Sequence, residues 1–153
     1  MKIQWKKLII AIAIPLLVGA VSAFFTQDAM SNFGTLNQPP LSPPGWLFPI
    51  VWTLLYTLMG IASYLVVTSG KPYGKAITVY ALQLFFNFFW SIIFFNLQQY
   101  LLAFIWLIIL WVLIIITTIL FFRIRKSAGI LMLPYLLWVT FAAYLNLGIY
   151  LLN

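Results

Sequence analysis

Gln83, Asn87 and Trp90 recur at i, i+4 and i+7 inside an otherwise apolar stretch, so a helix through them carries two amides and an indole on one face. Farther along, Tyr135, Trp138 and Ala142 stand at i, i+3 and i+7, with Asn146 one turn on and Pro134 loosening the backbone hydrogen bonding above them. Amides, phenols and indoles donate and accept hydrogen bonds without carrying charge. The chemistry they offer is recognition, and the same groups also serve to tie helices together. Trp138 lies about two turns into its segment, too deep for an interfacial belt, and is expected to face the bundle interior. Conventional catalytic sets are missing. The chain has no His, no Cys and a single acid, Asp28, which removes disulfides, thiolate or imidazole metal sites, carboxylate pairs and most nucleophile–base pairs.

The elements that hold these residues follow from composition. Of 153 residues 65% are hydrophobic and only 6% charged, whereas a soluble domain carries roughly 25% charged residues. A chain this apolar cannot wrap its core in a polar shell, so the fold class is an all-α integral membrane protein. Five transmembrane spans are expected at about 8–27, 46–67, 75–95, 101–122 and 130–152. Asp28 and the run "QDAMSNFGTLNQPPLSPPG" end the first; "TSGKPYGK" separates the second from the third; "NLQQY" is the only polar cluster between Ala76 and Phe122; "RIRKSAG" precedes the fifth. No period of 20–50 residues repeats, so the whole of 1–153 reads as one transmembrane domain, a five-helix bundle.

Basic residues orient it. With the N-terminus in the cytoplasm, Lys2, Lys6 and Lys7, then Lys71 and Lys75, then Arg123, Arg125 and Lys126 all fall inside. Loop 28–45 and the C-terminus are then external, in what is expected to be a bacterial cytoplasmic membrane. The clusters are short and juxtamembrane, so nucleic acid is not an expected partner. "MKIQWKK" with an apolar run ending in "VSA" also has the form of a signal peptide cleaved after Ala23. The run is long for a signal, and the five-span reading is preferred. Within it Ala11, Pro15, Gly19 and Ala23 make a small-residue stripe, suited to packing inside the protomer or, less well, to a dimer seam.

Loop 28–45 holds "QPPLSPPGW". Pro39, Pro40, Pro43 and Pro44 fix φ and favour an extended path, and Gly45 and Trp46 open the second span. Trp46 reads as an interface anchor. Trp52 lies six residues deeper and cannot share that role. The loop is a candidate lid over an aromatic pocket, with Pro44, Trp46 and Pro49 at its edge, and such a pocket binds a flat apolar ligand by stacking and orients it with amides.

"PPLSPPGWLFPIVWTLLYTLMGIASYLV", "QLFFNFFWSIIFF" and "PYLLWVTFAAYLN" together resemble the tryptophan-rich sensory protein family, also called the translocator protein or peripheral benzodiazepine receptor family. The motifs occur in order along essentially the whole chain. The resemblance implies a five-helix membrane protein, usually dimeric, that binds tetrapyrroles such as protoporphyrin IX and benzodiazepine-type ligands, and in animals cholesterol. It also implies that Trp52, Trp138 and Asn87 are pocket residues and that Ala142 is a small position beside the ligand. This chain departs from the pattern at Gln38 and Leu41, where many members have a basic residue and a further tryptophan, and at Asn32 and Phe33, where many have a tryptophan–tyrosine pair. A porphyrin propionate loses a cationic partner here. The C-terminal "LNLGIYLLN" has Tyr150 with no basic residue after it, so the sterol pattern of animal members fails.

The expected function is therefore a membrane binding protein or sensor for tetrapyrroles and benzodiazepine-type ligands, with Trp52, Asn87, Trp138, Ala142, Gln83, Trp90, Tyr135, Pro44, Trp46 and Pro49 as ligand-binding candidates. No cofactor is expected to be required; a tetrapyrrole enters as ligand. Two alternatives remain: a light- and oxygen-dependent porphyrin-degrading enzyme using Trp52 and Trp138 as electron donors, and a facilitated transporter of porphyrins or small apolar ligands. Active pumping is not supported, since Asp28 lies at a span's edge. Expected partners are a flat apolar small molecule, the lipid bilayer and a second copy of the chain in a homodimer.

Overall fold

In hydrocarbon every backbone N–H and C=O must be satisfied within the chain, and a long apolar run meets that demand by becoming a helix. The computed structural model describes residues 2–153. Its helices are α1 (Trp5–Thr26), α2 (Met30–Phe33), α3 (Leu47–Val67), α4 (Gly74–Ser91), α5 (Tyr100–Ile124) and α6 (Lys126–Leu152), and α4 continues through one π-helical turn, Ile92–Asn96. All but α2 are long and apolar enough to span a membrane. The chain is an all-α five-helix membrane bundle, as its composition and apolar runs imply. α5 and α6 extend past the expected boundaries into the basic residues, because intrahelical hydrogen bonding does not stop where hydrocarbon does. Only Arg125, with φ −154° and ψ 123°, separates the two.

Around the bundle α1 neighbours α3, α3 neighbours α6, α6 neighbours α5, α5 neighbours α4, and α4 returns to α1. Large apolar side chains such as Leu17, Leu54, Ile105 and Leu137 point outward, while Gln83, Asn87, Asn146, Thr117 and Thr118 are buried. This inverts a soluble protein's pattern, as lipid requires. Among the described residues no fully buried side-chain nitrogen or oxygen lacks a hydrogen-bond partner.

The small-residue stripe of α1 is used inside the protomer. Pro15 cannot donate to the Ala11 carbonyl, and this carbonyl lies against α3 at Gly60. A Cβ at Gly60 would meet Ile12 Cα at 2.6 Å and the Ala11 oxygen at 2.7 Å. The two backbones thus touch only because residue 60 is glycine. One turn along, Gly19 makes room for the Tyr56 ring in the same way.

Loop 28–45 contains the short helix α2 and is otherwise held against the end of α6. Tyr144 donates to the Pro40 carbonyl at 2.6 Å, the Asn37 amide donates to Asn153 Oδ1 at 3.1 Å, and Asn153 Nδ2 returns a bond to the Asn37 carbonyl at 2.8 Å. The Pro39 ring fills the space left by the missing side chain of Gly148. Pro49 stands in the first turn of α3, where its missing N–H leaves nothing unpaired.

Candidate functional site

The half of the bundle nearest loop 28–45 encloses a cavity of about 690 Å³. Its walls come from the second halves of α1 and α4, from the π turn, from α6 from Trp138 onward, from the first half of α3, and from Met30, Phe33, Gly34 and Gly45. α5 contributes none of them.

At the floor, helical spacing brings three elements together. Trp52 and Tyr56 are one turn apart on α3, their rings 5.4 Å apart and inclined at 31°. The Tyr56 hydroxyl donates to Asn87 Oδ1 at 2.9 Å, Asn87 Nδ2 donates to the Tyr135 hydroxyl at 2.8 Å, and that hydroxyl donates to Gln83 Oε1 at 2.6 Å. The chain ends at Met59, whose sulfur lies 4.0 Å from Gln83 Nε2. Four side chains from α3, α4 and α6 are thus locked into one orientation. Each is buried, so a broken link strands a polar group in an apolar interior.

Higher up, Trp90 Nε1 donates to Asn146 Oδ1 at 3.0 Å, Asn146 Nδ2 donates to the Tyr100 carbonyl at 2.9 Å, and Phe94 of the π turn stacks on Trp90 at 5.2 Å. Trp138 meets Phe48 edge-on at 5.9 Å. The result is an aromatic chamber with a fixed polar floor.

Of the sequence-predicted residues, Trp52, Asn87, Trp138, Ala142, Trp90 and Pro49 line the cavity. Gln83 and Tyr135 lie one turn below the floor, where they hold Asn87 from beneath. Pro44 and Trp46 are exposed and form no part of its wall. Sequence reasoning missed Tyr56, although it follows Trp52 by four residues and so shares its face. It also misses Ser22 and Thr26, since the small-residue stripe of α1 runs through Gly19 and Ala23 and gives no sign of them.

What the arrangement can do is enclose and orient a molecule. None of the lining residues is charged, and the described residues hold no group of His, Cys, Asp and Glu that could bind a metal. The cavity offers aromatic faces for stacking and a few neutral donors and acceptors, the usual make-up of a small-molecule pocket.

Residues 11–152 match the model of the TspO/MBR family. The chain is 39% identical over 150 residues to the tryptophan-rich protein TspO of Chlorobaculum tepidum, covering 95% of each chain. A protein of the same name from Archaeoglobus fulgidus is 39% identical over 149 residues, covering 96% of this chain and 97% of its own. The human translocator protein is 33% identical over 129 residues, covering 82% of this chain and 76% of its own.

Proposed function

The chain belongs to the TspO/MBR family, whose membership brings a general membrane sensor or binding role, and from that premise we propose that it binds tetrapyrroles of the protoporphyrin IX type and benzodiazepine-type ligands in the aromatic cavity. One observation carries this reading. The cavity is of small-molecule size and is lined by Trp52, Trp90 and Trp138 around the fixed amide of Asn87. A flat ring stacks on the indoles and takes its orientation from the polar floor.

The protein acts in this reading as a sensor in a bacterial cytoplasmic membrane, with its basic loops inside, loop 28–45 outside, and two copies forming a homodimer. Because Ala11 and Gly19 are spent on α3, a dimer seam uses another face.

Titration of protoporphyrin IX into the purified protein tests the reading. Binding is expected to quench tryptophan fluorescence, and Trp138→Phe and Asn87→Ala are each expected to weaken it by about 1–3 kcal/mol. Trp5→Phe, on an exposed residue at the far end of α1, leaves it unchanged. If neither protoporphyrin IX nor a benzodiazepine-type ligand binds at micromolar concentration, the reading fails.

A further inference from the structure

All eight lysines and arginines lie at the opposite end of the bundle from the cavity. At about 1.5 Å per helical residue, Lys7 stands about 13 Å along α1 from Leu16, and Lys75 and Lys126 about 18 Å from Asn87 and Trp138. No cation reaches the chamber. The one acid, Asp28, is exposed between Thr26 and Met30, both of which line the cavity. A carboxylate drawn inside therefore finds no counter-ion and meets a negative charge near the mouth, and an unpaired charge in an apolar interior is costly.

Neutral donors, by contrast, stand unused. Trp90, Trp106 and Trp111 spend their indole N–H groups on Asn146, Phe86 and Thr140. Among the described residues Trp52 and Trp138 find no such partner. Ser22 is 6% exposed and lines the cavity, yet among the described residues its hydroxyl has no hydrogen-bond partner; Ser91, half-buried on the neighbouring helix α4, lines the cavity too and likewise has none. Among the described residues no fully buried side-chain polar atom lacks a partner, so the Ser22 hydroxyl is not fully buried, and the space that Ser22 lines is the cavity.

Resting on the binding reading above, we infer that the cavity selects an uncharged flat ligand bearing hydrogen-bond acceptors, such as carbonyl or ester oxygens, and discriminates against the same ring carrying free carboxylates. The acceptors engage the hydroxyls of Ser22 and Ser91 and the indole donors. A dicarboxylate is held only with its acid groups kept in water at the mouth.

Protoporphyrin IX and its dimethyl ester share one ring and differ in charge, so they test this directly. Both are titrated against the full-length protein in the same detergent, with tryptophan quenching as the signal and the wild-type isotherm corrected by a variant whose cavity is blocked, Ala142→Phe. The ester is expected to bind at least about tenfold more tightly than the diacid. Asp28→Lys, which replaces the acid near the exposed mouth by a cation without touching the cavity wall, is expected to tighten the diacid several-fold and leave the ester unmoved; Asp28→Asn acts in the same direction, more weakly. A diacid that binds as tightly as the ester overturns the inference while the binding reading stands. So does an ester preference that neither variant reduces, since it then reflects ring partitioning and not charge. If neither compound binds, this inference falls, and the binding reading falls with it when a benzodiazepine-type ligand also fails to bind.

Discussion

Asn87 on α4 donates through Nδ2 to the hydroxyl of Tyr135 on α6 at 2.8 Å, and this bond ties the cavity floor to the layer beneath it. Tyr135→Phe removes the hydroxyl without changing the ring. It leaves Asn87 Nδ2 and Gln83 Oε1 unpaired in a buried setting, at a cost of about 1–3 kcal/mol. Thermal unfolding in detergent is expected to show a lowered midpoint, and the double variant Tyr135→Phe with Gln83→Leu should recover part of it, because the stranded acceptor is then gone. An unchanged midpoint in the single variant means that the bond contributes nothing.

The α1–α3 contact makes a second prediction. Gly60→Ala pushes a methyl into the Ile12 backbone and is expected to destabilise by about 1–3 kcal/mol, as overpacking does. Gly74→Ala, where a Cβ meets nothing within 4 Å, is the matched control and should be neutral or slightly stabilising. Equal unfolding midpoints for the two variants contradict the close packing.

Orientation can be checked cleanly because the chain has no cysteine. Gln38→Cys is expected to react with a membrane-impermeant maleimide on intact cells, and Lys75→Cys only after permeabilisation. The reverse pattern places loop 28–45 inside and refutes the topology drawn from the basic residues.

Much of this architecture is legible in the residues themselves, and the rest is not for a physical reason. The spans follow from apolar length, and the faces of α4 and α6 from the spacing of Asn87, Trp90, Trp138 and Ala142. Spacing gives a face but not a depth. Gln83 and Tyr135 share faces with the lining residues, yet they fall one turn below the floor, a level set by how α3, α4 and α6 are staggered. The π turn at Ile92–Asn96, which helps bring Phe94 against Trp90, has no local signature. The proline-rich loop reads as extended, and in the structure it turns at Leu41, where φ is 71°. Its clasp on α6 through Asn37, Pro40, Tyr144 and Asn153 depends on partners more than a hundred residues away in the chain.

The central claim is that the chamber between Trp52, Asn87 and Trp138 is where the ligand sits, and filling it is the most direct test. Ala142 lines the cavity and is only partly packed, so Ala142→Phe extends a ring into empty space without displacing the core. Protoporphyrin IX titrated against this variant is expected to bind more than about tenfold more weakly than to the wild type, while the unfolding midpoint stays the same or rises. Undiminished binding by a folded Ala142→Phe protein would contradict the account and move the ligand to another surface.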